Sequence, residues 1–113
     1  MEKRADFWKV APEGIAAFRG LQTYIDHCGL EHELMELVKT RASQINGCAF
    51  CLDMHTKDAR AAGETEQRLY TLSAWRETPF FTERERAALA WTEAVTRIAP
   101  EEVDDPLYGQ LCS

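Results

Sequence analysis

Residues that end or open helices punctuate this chain. Pro12, Gly29, Gly47, Gly63, Pro79 and Pro100 divide its 113 residues into stretches of helical length. Glycine just past a helix end takes the left-handed turn that stops it, and proline opens a helix or forbids its continuation. Between these marks the apolar residues recur at three- and four-residue intervals, and strand-like alternation is absent. A chain patterned this way buries its apolar stripes by packing helix on helix, which predicts an all-α fold.

The first long helix runs from Pro12 to about Cys28, with Ile15, Phe18, Leu21 and Ile25 on one stripe. A second covers about 31–46, with Leu34, Leu37, Val38, Ala42 and Ile45 facing the core. A third begins near Cys48 and ends at Gly63. A fourth runs from about Thr65 to Trp75, before the Thr78-Pro79 break. The fifth has the clearest start, because Thr82 and Glu85 hold the spacing of a capping box. Its stripe is Ala87, Ala88, Trp91, Ala94, Val95 and Ile98, and Pro100 ends it. Val103, Leu107 and Leu111 can open a sixth in the tail. The expectation is five to six helices in a single domain over residues 1–113.

Composition narrows the function. The net charge is -6, with 13 basic and 19 acidic residues. Scattered basic residues in an acidic chain argue against nucleic-acid binding, which needs clustered Lys and Arg. No apolar run approaches the roughly 20 residues of a membrane span. The charged start, Met1 to Asp6, is not followed by the apolar stretch of a secretory signal. These features predict a cytoplasmic protein with neither nucleic-acid nor membrane partners.

Of four cysteines, Cys28, Cys48, Cys51 and Cys112, two form the CxxC run Cys48-Ala49-Phe50-Cys51. In a reducing compartment that spacing points to redox chemistry or metal binding. At the start of a helix the two thiols lie on one side, within bridging distance, and the helix N-terminus favours a thiolate. His55, four residues after Cys51, lies one turn along on the same face and can take its proton. Glu36 lies on the preceding helix. If the two helices fold back through Gly47, its carboxylate comes near the level of His55 and can orient the ring or relay a proton. A four-ligand zinc site needs two more ligands at short spacing. Cys28, His27, His32 and His55 supply no second pair, so neither metal nor cofactor is expected. Leu52 after Cys51 rules out the haem-attachment motif, and no strands flank the pair as in a thioredoxin.

Other residues read as structural. Cys28 is a small helix-end residue and Cys112 incidental. His27 and His32 are exposed at a helix junction, and Trp75 and Trp91 serve packing. Met35 and Met54 fill gaps. The Glu83–Arg86 run is a solvated face, and Asp53 and Asp58 face water.

The pattern E-x11-C-x2-C-x3-H made by Glu36, Cys48, Cys51 and His55 resembles the AhpD-like branch of the carboxymuconolactone decarboxylase superfamily. The stretches Arg41 to Lys57 and Ala88 to Ala94 are similar to that branch as well, and the likeness covers about residues 10–105. The resemblance implies an all-α oligomer, a homotrimer or homohexamer. It also implies a thiol-dependent peroxidase that reduces organic hydroperoxides and is recharged by a thiol reductant protein. By that resemblance Cys51 is the peroxidatic cysteine, Cys48 the resolving one, and Glu36 and His55 the proton relay. Two alternatives remain open: a redox-responsive oligomeric module with little turnover, and a relative of the decarboxylase branch, which lacks the cysteine pair. The sequence departs from the branch in two places. Phe50 stands where well-studied members have a second His. An Asn-Ala-Trp-Asn stretch in a further helix is missing, so the domain reads as short at its C-terminus. Three Trp, three Tyr and five Phe give more apolar surface than a chain of this size readily hides, which also predicts assembly.

Overall fold

Residues 4–97 and 104–113 are described by the structure, a computed structural model. Over them the chain is all-helical. The helices are α1 (Phe7–Val10), α2 (Pro12–Asp26), α3 (His32–Asn46), α4 (Ala49–Ala61), α5 (Glu66–Thr71), α6 (Glu83–Arg97) and α7 (Asp105–Cys112), with a 3-10 segment, Leu72–Glu77, after α5. Seven helices exceed the five to six expected. The addition is the short α1, whereas α7 holds Leu107 and Leu111 of the expected sixth helix. Ile98, Pro100 and Val103, expected at the end of the fifth helix and the start of the sixth, lie outside the described residues. None of the described helices is long and apolar enough to cross a membrane.

The chain divides into two compact units, Met1–His32 and Glu33–Ser113. In the first, Asp6 caps α1 by accepting from the Trp8 N–H, and Pro12 opens α2 at a position where a missing N–H costs nothing. Arg19 lies over the Trp8 ring, 4.5 Å from its centre. Gly29, with φ 94°, makes the turn that a side chain would strain. This unit contains no fully buried residue among those described. Ile15 and Ile25 are half-buried, but Phe18 and Leu21 from the same stripe are exposed, Phe18 by 71%. Phe7, Trp8, Val10 and Tyr24 are exposed as well.

The second unit has the core. Leu37 of α3, Leu72 and Trp75 of the 3-10 segment, Phe81 before α6 and Leu89 of α6 form one buried cluster, with Phe80 and Ala90 packed against it. The fourth helix was expected as one piece to Trp75. Instead α5 tightens into 3-10 at Leu72, and Ala74 (φ -120°, ψ 31°) breaks the helical path. That kink puts both Leu72 and Trp75 inside the cluster. The capping box of α6 forms in both directions: Glu85 N–H donates to Thr82 Oγ1 and Thr82 N–H to Glu85 Oε1. Asp104 caps α7, which packs on α6 through the tilted rings of Trp91 and Tyr108, 6.1 Å apart.

Polar side chains reinforce this core. Glu93, only 2% exposed, accepts from Arg41 of α3 (3.1 Å and 3.0 Å) and from the Trp75 indole N–H (2.9 Å). It also pairs with Arg76 and, one turn along α6, with Arg97. Burial pushes its carboxyl up, but the hydrogen bonds from Arg76, Trp75 and Arg41 outweigh that and hold it below the ordinary carboxylate range. Of the expected solvated face at Glu83–Arg86, Glu83 and Arg84 are exposed and the other two residues are not. Glu85 and Arg86 are half-buried. Glu85 pairs with Arg68, and Arg86 donates to the backbone carbonyls of Trp75, Thr78 and Arg76. Carbonyls freed where the 3-10 segment ends need donors, and arginine supplies several in one plane. Met54, expected as a gap filler, is exposed instead, whereas Met35 is half-buried.

Candidate functional site

Gly47, with φ 64°, ends α3 in the left-handed turn that a residue with a Cβ disfavours. The next residue, Cys48, takes extended backbone angles and caps α4. Its sulfur accepts the Cys51 N–H at 3.2 Å, doing for this helix what a serine oxygen usually does. Cys48 and Cys51 are bridged, with Cα atoms 5.3 Å apart. The sequence spacing therefore places both sulfurs at the first turn of a 13-residue helix, where unpaired N–H groups and the helix dipole stabilise negative charge on sulfur.

One turn along α4, His55 is half-buried. Its Nδ1 lies 3.1 Å from Glu36 Oε2. The folding back of α3 and α4 through Gly47 thus brings together two residues 19 apart in sequence. Glu36 is 4% exposed and sits beside Leu37, a member of the core cluster, so its carboxylate projects from a fixed backbone. Lys39, one turn along α3, approaches the other oxygen, Oε1, at 3.9 Å. Donation from Nδ1–H to the carboxylate fixes the imidazole tautomer and leaves Nε2 as the basic nitrogen.

The same face carries a third polar group. Asp58, exposed as expected, follows His55 by three residues, and ligand atoms of Glu36, His55 and Asp58 all lie within 4.8 Å of one another. The sequence signal was present in the i, i+3 spacing of His55 and Asp58, but it was read only as a solvated acid. Phe50, between the cysteines, is 76% exposed and offers no titratable group. Cys28 and Cys112 are exposed free thiols, and the Cys28 S–H donates to the Ile25 carbonyl. His27 and His32 are exposed, as expected. None of these four joins the cluster around His55.

Over its described residues the chain is all-helical, with a bridged cysteine pair at a helix N-terminus and a carboxylate–imidazole pair one turn along. The chain belongs to the carboxymuconolactone decarboxylase family, whose pattern matches residues 11–94. It is 45% identical over 111 residues to the uncharacterized protein YdfG of Bacillus subtilis, covering 98% of this chain and 76% of that one. It is 31% identical over 84 residues to the uncharacterized protein YnjA of Escherichia coli, covering 74% of this chain and 46% of that one. A crystal structure from Agrobacterium tumefaciens superposes with a TM-score of 0.87 at 45% identity, over 98% of this chain and 76% of that one. That protein is of unknown function, and a role as the antioxidant defence protein AhpD has been suggested for it.

Proposed function

We propose that the protein is a thiol-dependent peroxidase that reduces organic hydroperoxides in the cytoplasm and is recharged by a thiol reductant protein. The observation that carries this reading is the cysteine pair at the start of α4 with His55 on the same helix, held by the buried Glu36 carboxylate. An inert structural bridge needs no base in that place. In the proposed cycle the Cys51 thiolate attacks the outer peroxide oxygen. The O–O bond breaks, Cys51 becomes a sulfenic acid, and the alkoxide leaves as the alcohol after taking a proton. Glu36 and His55 carry the proton from thiol to alkoxide. Cys48 then attacks the sulfenic sulfur, forming the disulfide and releasing water. A dithiol reductant donates two electrons and two protons to reopen it. The Cys48 sulfur, facing the Cys51 N–H, is the better-stabilised leaving thiolate when the bridge opens.

The test is peroxide consumption with a dithiol reductant present. Cys51→Ser abolishes it, and Cys48→Ser lets a sulfenic acid accumulate that dimedone traps on Cys51. Dimedone adducts on Cys48 in the Cys51→Ser protein reverse the assignment. His55→Ala removes the group that takes the Cys51 proton and slows alkylation of Cys51 near neutral pH. Alkylation-versus-pH curves unchanged by this substitution remove His55 from the mechanism. Exposed Phe50, where the branch has a second His, favours a second reading, a redox-responsive module with little turnover. Repeated turnover with reductant separates the two.

Assembly is part of the proposal. The exposed large apolar residues of α1 and α2 support burial against another chain, and the family likeness favours a closed homotrimer or homohexamer.

A further inference from the structure

We propose that Glu36, His55 and Asp58 form a site for a divalent transition cation of the zinc type. Three observations carry it. First, the donors come from two helices that already meet. Glu36 is supplied by α3, and His55 and Asp58 lie at i, i+3 on one face of α4, with ligand atoms within 4.8 Å of one another. Second, one edge of the site has nearly the right size. Metal–ligand distances of about 2.0–2.1 Å in a tetrahedron separate ligand pairs by about 3.4 Å, and Glu36 Oε2 and His55 Nδ1 are 3.1 Å apart; the ion replaces the hydrogen bond between them, with the imidazole in its other tautomer, the proton on Nε2. Third, two of the three donors are fixed by their surroundings and the third is free to adjust. Glu36 is buried, His55 half-buried and Asp58 exposed, so the first two are held in place while the aspartate can swing inward by the remaining distance.

Charge and donor type select the ion. Two carboxylates against the Lys39 ammonium, which lies 3.9 Å from Glu36 Oε1, leave about one net negative charge with neutral imidazole. Lys39 also leaves Oε2 as the oxygen facing His55. One imidazole with two carboxylates suits zinc and its neighbours, whereas calcium and magnesium prefer oxygen throughout. Three protein ligands leave a coordination position for water. A cation in this place holds the imidazole and carboxylate that a proton relay would use, so a bound ion and a working relay exclude each other.

The experiment uses the intact protein with its Cys48–Cys51 bridge closed, so that neither sulfur of the pair can act as a thiolate ligand. Binding therefore does not depend on peroxide turnover, and failure here leaves the peroxidase reading standing. Zinc is titrated calorimetrically, and cobalt by its visible bands, which report coordination number. The expected result is one ion per chain, with affinity at least about tenfold weaker in Asp58→Asn and in Glu36→Gln, a loss that even outer-shell changes produce at metal sites. Asp58 is exposed, so its substitution leaves the interior intact. His32→Ala is the control and leaves affinity unchanged. No binding at millimolar zinc, binding undiminished in Asp58→Asn, or binding lost in His32→Ala overturns the site.

Discussion

The two compact units use the same helical grammar and end differently. The α2 stripe of Ile15, Phe18, Leu21 and Ile25 is as regular as the α3 stripe, yet Phe18 and Leu21 are exposed while Leu37 is buried in the core. The second unit adds what the first lacks. A kink at Ala74 aims two side chains inward, and the buried carboxylate Glu93 ties α3, the 3-10 segment and α6 together. Periodicity makes a helix amphipathic, but only a facing surface makes the stripe a core.

The contrast can be broken most directly at Leu89, which is fully buried. Leu89→Ala costs about 2–5 kcal/mol of unfolding free energy, measured by urea denaturation. A cost under 1 kcal/mol, on the order expected of surface sites, removes the claim that the core lies in the second unit.

Glu93→Gln is next, at about 3 kcal/mol, because it leaves the nearly buried Arg41 without its counter-charge. It also changes the pH profile. The folded Glu93 carboxyl titrates below its unfolded value, so the unfolded state binds that proton first. Its stabilisation is complete above the ordinary carboxylate range and is lost as pH falls through the lowered folded value. Wild-type stability therefore falls more steeply in acid than that of Glu93→Gln. Parallel melting curves across pH exclude this role.

Thr82→Ala, which removes one arm of the α6 capping box, costs about 1 kcal/mol. Smallest in the monomer is Phe18→Ser, at less than about 0.5 kcal/mol when the chain is dilute. Its effect is expected in light scattering instead, as a shift of the proposed oligomer toward monomer. A loss of monomer stability comparable with Leu89→Ala collapses the distinction between the two units.

Gly29, Gly47 and Gly63 and the Thr82–Glu85 box gave the ends of the long helices closely, because capping and left-handed turns are local chemistry. The 3-10 segment was missed because Leu72 and Trp75 obey tertiary packing over local preference. The Glu93 hub was missed because Arg41 is 52 residues away, and no pattern within one helix encodes such a pairing. The candidate site was more legible. Cys48, Cys51 and His55 lie within one helix start, and Gly47 left a single sensible direction for α3 to return, which brought Glu36 to His55. Asp58 was read as solvent-facing, which is correct for its exposure and incomplete for its neighbours.

The position of Cys48 as the cap of α4 has a thermodynamic consequence. A bridge gains stability chiefly by shrinking the conformational freedom of the unfolded chain, and that gain grows with the loop it closes. Here the bridged residues are three apart. Closing so short a loop is worth about 2 kcal/mol, against about 3 for a fifteen-residue one. The Cys51 N–H contact to the Cys48 sulfur lies within the same turn that the bridge closes. Opening or closing this bridge therefore shifts the folding equilibrium by about 2 kcal/mol, less than a bridge across a long loop would.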